Sequence, residues 1–146
     1  LVSDFFFSTE EAVPRGSGSG FVWDDQGHIV TNYHVIEDGD IFKVAVREMA
    51  KASQAVIADS GIAPEQIRWV VPHQANLRII EALAKRLDVP MERVYLNIER
   101  YGNTSSASVP LALDEANRQG LIARGDHVLM VAFGGGLFWG SALVKW

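Results

Sequence analysis

The residues best equipped for chemistry in this 146-residue chain are one histidine and one asparagine, each at the end of an apolar run. His73 closes Trp69-Val70-Val71-Pro72 and opens Gln74-Ala75-Asn76-Leu77-Arg78. Asn103 lies in Arg100-Tyr101-Gly102-Asn103-Thr104-Ser105-Ser106. Two side-chain donors that converge can stabilise a negatively charged oxygen. A second element is Gly134-Gly135-Gly136, directly after Phe133. The chain has no cysteine, so any thiolate chemistry must draw its sulfur from another polypeptide. Each motif also has a plainer reading. His73 can cap the helix after Pro72, the glycines can form a tight strand turn, and Arg78 can be a solvated charge on a helix face.

Such groups must be held by a folded core, and the composition provides for one. Hydrophobic residues make up 48% and charged residues 21%, within one ordinary domain's length. The net charge of -5 and pI near 5.3 disfavour nucleic acid or an anionic membrane as the main partner. The longest uncharged run, Val128 to Val144, falls short of the ~20 residues a membrane span needs and is split by the glycines. It reads as two buried strands joined by a turn. No metal site is expected. No secretory signal is visible, so a cytoplasmic location is expected, and the start at Leu1 rather than Met fits an excerpt or a processed product.

The pattern changes near residues 37–40. Before it the chain reads β: a Gly16-Ser17-Gly18-Ser19-Gly20 lead-in, strand Phe21-Val22-Trp23, a turn at Asp24 to Gly27, and a return strand His28 to Asn32. Residues 1–15 hold the cluster Phe5-Phe6-Phe7 but no clear period. After Asp40, helix and strand alternate. A helix runs to about Ser60 and ends at Gly61, strand Ile67 to Val71 follows, and a second helix is marked by Leu77, Ile80, Ala84 and Leu87. A second strand is expected at Val94 to Ile98, and a third helix between Ser105 and Gln119. The small residues Ser105 to Ser108 predict a buried, closely approached first turn, and Pro110 predicts a kink or a start near Val109. Strands His127 to Phe133 and Leu137 to Lys145 end the chain. This alternation predicts an α/β layer fold with a buried sheet.

Residues from about Asp40 to Trp146 resemble the C-terminal half of a β-ketoacyl-acyl-carrier-protein synthase III, a condensing enzyme of the thiolase superfamily. The matching pieces are Ile41 to Arg47, Val71-Pro72-His73-Gln74-Ala75-Asn76-Leu77-Arg78-Ile79, Arg100 to Ser108, and Phe133-Gly134-Gly135-Gly136-Leu137-Phe138-Trp139-Gly140. They occur in the family's order and spacing, with Phe138 where the family usually has Thr. Residues from about Gly16 to Ile36 are similar to the first strands of a Deg/HtrA trypsin-like serine protease, with His34 at the catalytic histidine. The chain therefore reads as a chimera of two segments, 1–38 and 39–146.

The first resemblance implies half of a thiolase-like fold, a mixed sheet with packed helices, preceded by the β hairpin. It implies acyl-CoA or acyl-carrier protein as partners and no cofactor. His73 and Asn103 would face the reacting thioester. Gly134, Gly135 and Gly136 would offer a backbone oxyanion donor, with Phe133 beside the nucleophile. Asn76 and Arg78 would face the phosphopantetheine tunnel and the carrier surface. The nucleophilic Cys belongs to the family's other half, so this chain is expected to be an acyltransferase-derived fragment without catalysis of its own. A protease would need an Asp and a Ser that nothing after residue 40 resembles. The competing reading is a selected or designed chimera with no catalytic role, which self-associates. On either reading a homo-oligomer is expected, because surfaces shaped for the other half lose their cover.

Overall fold

The computed structural model describes residues 5–10, 20–22, 29–31, 38–135 and 137–146. His34, Gly136 and the lead-in at 16–19 lie outside them. The sequence alternation after Asp40 produces a four-stranded mixed sheet in the order β1-β6-β5-β4. These strands are β1 (Phe5–Glu10), β4 (Ile67–Pro72), β5 (His127–Gly134) and β6 (Phe138–Lys145). β4 and β5 are parallel, while β6 runs antiparallel to both β5 and β1. The register sets Val71 opposite Met130, Leu129 opposite Leu143, and Phe7 opposite Ala142. β2 (Gly20–Val22) and β3 (Ile29–Thr31) form the expected antiparallel hairpin as a separate two-stranded sheet.

The sheet is apolar on both faces because helices cover both. On one face Val70, Leu129, Val131 and Leu143 pack with Ala45, Met49, Val56, Ile80 and Leu83. Those partners lie on α1 (Asp38–Ser60) and α2 (Leu77–Arg86). On the other face Val71, Val128 and Val144 pack with Ala112 and Ala116 of α4 (Ser108–Arg118). The neighbours Val70 and Val71, and Val128 and Leu129, thus go to opposite cores, as a period of two requires. Burying each such Val, Leu or Ile contributes about 1.5–3 kcal/mol.

Two sequence expectations need correction. Val94 to Ile98 is not a strand. Val94 makes an isolated parallel bridge to Val70, and Tyr95 N–H donates to Val70 C=O at 2.9 Å. The ladder stops there because the next backbone donor, Asn97 N–H, is taken by the Gln74 side chain at 3.1 Å. A single helical turn, α3 (Ile98–Tyr101), follows. Second, the small residues Ser105 to Ala107 are exposed in a 3-10 turn, and only Ser108 of that run is buried. No described element lies over them. The expected start near Val109 is met within one residue, and Pro110 costs α4 no hydrogen bond. The helix begins at Ser108, so the missing N–H falls in the first turn, where no intrahelical partner exists. β1 gave no periodic signal, yet it pairs along β6 from Val144 to Trp139. Among the described residues no helix is long and apolar enough to cross a membrane, and no group of three or more His, Asp or Glu is placed to hold a metal ion.

Candidate active site

The parallel pair β4 and β5 delivers its C-terminal ends to one place, and the site is built there. His73 directly follows the last residue of β4. Its backbone N–H donates to Val131 C=O at 2.8 Å, which ties it to β5. Its Nδ1 lies 2.5 Å from the Ser108 hydroxyl at the start of α4. The ring is half-buried, and burial pushes its pKa below the ordinary value, so the imidazole is neutral at pH 7. A neutral imidazole serves as a hydrogen-bond donor rather than as a charge.

His73 opens onto a cleft of about 390 Å³ that Phe133, Gly134, Gly135, Phe138 and Trp139 also line. The rings of Phe133 and Trp139 stack across the β5–β6 pair with centroids 6.5 Å apart. Ser105 and Ser106 close the side toward α4. Phe138, half exposed, stands at this cleft.

Of the predicted residues, His73, Phe133, Gly134 and Gly135 therefore meet in one cleft. Asn103 does not line it. It is exposed, and its Oδ1 accepts from Ser105 N–H at 2.9 Å, which leaves the Nδ2 amide as the group free to donate. The loop carrying it is held from beneath. Glu115 of α4 accepts from Asn97 Nδ2 at 2.9 Å and from Tyr101 O–H at 3.3 Å, and pairs with Arg100 at 2.5 Å. The Asn97 hydrogen bond, reinforced by the Arg100 charge, holds the Glu115 carboxyl below the usual carboxylate range. Gly102 then turns the chain at φ 63 and ψ -158, a conformation that excludes residues with a Cβ.

Asn76 is the N-cap of α2, its Oδ1 accepting from Arg78 N–H at 2.9 Å. This cap falls to Asn76 and not to His73. Arg78 is exposed on the first turn. An Asn76→Ala variant is expected to lose about 1 kcal/mol of unfolding free energy, the usual cost of an uncapped helix. Urea unfolding checks this, and an unchanged midpoint would show that the cap contributes nothing.

Sequence reasoning missed the residues that hold this site together. Gln74 is fully buried. Its Nε2 donates to Pro72 C=O at 2.9 Å and to Tyr95 C=O at 3.1 Å, and its Oε1 accepts from Asn97 N–H. Ser108 accepts from Gln74 N–H at 3.2 Å while meeting His73. A polar residue directly between an apolar strand and a helix cap was the one available signal for Gln74. For Ser108 there was none beyond its small size.

Comparison with known proteins gives a consistent result. Residues 57–146 match the family described as 3-Oxoacyl-[acyl-carrier-protein (ACP)] synthase III C terminal. The chain is 58% identical over 114 residues to a Beta-ketoacyl-[acyl-carrier-protein] synthase III of Roseiflexus sp. (strain RS-1), covering 78% of this chain and 35% of that protein. The enzyme of the same name from Alkalilimnicola ehrlichii is 44% identical over 146 residues, covering 100% of this chain and 44% of the relative. A crystal structure of 3-oxoacyl-(acyl carrier protein) synthase III from Pseudomonas aeruginosa PAO1 superposes with a TM-score of 0.81 at 32% identity, over 97% of this chain and 43% of that one. One from Thermus thermophilus gives 0.77 at 42% identity, over 97% and 45%. The chain thus spans less than half the length of these relatives.

Proposed function

The chain belongs to the 3-oxoacyl-acyl-carrier-protein synthase III C-terminal family, and from this premise we propose that it supplies the oxyanion side of a decarboxylative condensing site whose nucleophilic cysteine comes from a second half. The observation that supports this best is the convergence of neutral His73, Phe133, Gly134 and Gly135 on one cleft at the ends of parallel strands. The substrates are an acyl thioester carried by CoA and a malonyl thioester on acyl-carrier protein. The malonyl carboxylate departs as CO2, and its bonding electrons pass into the enolate, whose charge rests on the thioester oxygen. His73 donates to that oxygen, and the Asn103 amide, which lies outside the cleft lining, is read as the second donor on the family resemblance. The cysteine thiolate first takes the acyl group from CoA, whose thiolate leaves; the enolate carbon then attacks the acyl-thioester carbonyl, and the cysteine thiolate leaves. The Gly134 to Gly136 turn offers backbone N–H to the acyl carbonyl oxygen. Asn76 and Arg78, at the exposed start of α2, meet the carrier arm and its phosphate. Residues 1–38 are read as a segment of Deg/HtrA origin on the strength of Gly18-Ser19-Gly20-Phe21-Val22 and Gly27 to Ile36, with His34 lacking the Asp and Ser it would need.

The chain alone is accordingly expected to form no ketoacyl product from acetyl-CoA and malonyl-acyl-carrier protein, since no residue in it can carry the acyl group as a thioester. Product above a no-protein control, from a chain of verified sequence, would overturn this reading.

The cover missing from this half supports self-association. Leu77 and Leu111 are each 42% exposed and Phe138 51%, and Ser105 to Ala107 are exposed as well. A second copy is the simplest cover, in a two-fold pair. Light scattering is expected to give a multiple of the 16.1 kDa protomer. A stable particle of protomer mass at micromolar concentration would contradict it.

A further inference from the structure

We propose that Ser108 is the positioning residue of His73, fixing the neutral imidazole with its proton on Nε2, the nitrogen on the side of the ring away from Ser108. Hydrogen-bond satisfaction decides between the two tautomers. Ser108 is 2% exposed, so its hydroxyl proton has no access to water. A hydroxyl has one proton and two lone pairs. One lone pair accepts from Gln74 N–H at 3.2 Å. Among the described residues the acceptor within reach of the proton is His73 Nδ1, at 2.5 Å. If the ring instead carried its proton on Nδ1 and donated it to Ser108, the hydroxyl would accept twice. Its own proton would then be buried without a partner, an arrangement that folded proteins avoid. The favoured arrangement is therefore a relay: Gln74 N–H to Ser108 Oγ, and Ser108 O–H to Nδ1. Nδ1 must then be unprotonated, and a neutral imidazole must carry its hydrogen on Nε2.

Every member of this relay is rigidly held. The Gln74 backbone is fixed by the side chain's own bonds to Pro72, Tyr95 and Asn97. Ser108 is fixed as the first residue of α4, whose Ala112 and Ala116 are fully buried against the sheet. The functional weight of the assignment rests on the reading of the cleft given above, because a donor on Nε2 is what a developing enolate oxygen requires. The tautomer itself does not depend on that reading.

The test is long-range proton–nitrogen NMR of the intact chain labelled at histidine nitrogens, with the His73 ring assigned by loss of its signals in His73→Gln. Above pH 7 the wild-type ring is expected to show the shift pattern of the Nε2–H form. In Ser108→Ala the ratio of Nε2–H to Nδ1–H is expected to fall about fivefold, the worth of one ordinary hydrogen bond. Ser108→Thr, which keeps the hydroxyl, should restore it. A wild-type ring protonated at Nδ1 overturns the proposal without any variant being needed. So does a folded Ser108→Ala chain with an unchanged ratio. Neither result bears on whether the family activity is present, and absence of that activity in a reconstituted enzyme would leave the tautomer result standing.

Discussion

A Gln74→Leu variant is expected to lose about 3–4 kcal/mol of unfolding free energy, near the upper end of what single substitutions cost. The side chain has no exposed surface, and three buried backbone groups depend on it: Pro72 C=O, Tyr95 C=O and Asn97 N–H. Leucine fills similar space but can meet none of them. Each buried polar group left unmade costs about 1–3 kcal/mol, partly offset by the added apolar contact. The loss should appear as a shift of the urea midpoint with little change in slope. Arg78→Ala, four residues away and exposed, is the control and should stay within about 0.5 kcal/mol. If Gln74→Leu behaved like Arg78→Ala, the loop between β4 and α3 would not be held as described.

The second large effect concerns catalysis in a reconstituted site. In a hybrid enzyme, residues 39–146 of this chain would replace the matching segment of the Roseiflexus relative, which shares 58% identity over 114 residues. There, His73→Ala and Asn103→Ala are each expected to lower the condensation rate about 10²–10³-fold, the usual loss for one donor at a developing oxyanion. Transfer of the acyl group from acyl-CoA to the cysteine should change far less if these donors act, as proposed, on the malonyl half of the reaction. Equal loss in both steps would indicate damage to the fold rather than removal of a donor.

The parts of the molecule legible in the sequence were those written in local patterns. The near-continuous apolar runs of β4, β5 and β6, the apolar spacing of α1 and α2, and the position of Gly61 at a helix end all declare themselves within a few residues. The misses came from tertiary effects. Val94 to Ile98 has the composition of a strand, but a distant glutamine takes the N–H that would have continued the ladder. β1 is made by its pairing with β6, more than 120 residues away, and not by any period of its own. The small residues Ser105 to Ala107 were expected to be buried, yet they are exposed, with Ser105 and Ser106 on an open cleft, because small size permits close approach without saying what approaches. His73, Gly134 and Gly135 were singled out as candidates from their motifs alone, and the fold brings them to one cleft. The Ser108 contact that sets the ring, and the Glu115 clamp beneath Asn103, require the folded chain.

The most direct test of the account is the rate of ketoacyl product formation by the hybrid enzyme carrying residues 39–146, supplied with acetyl-CoA and malonyl-acyl-carrier protein. The account predicts condensation well above that of the isolated chain, dependent on the cysteine of the relative's half and abolished to within background by combining His73→Ala with Asn103→Ala. A folded hybrid that accepts the acyl group on that cysteine yet forms no product, or one whose product formation survives both substitutions, would contradict it.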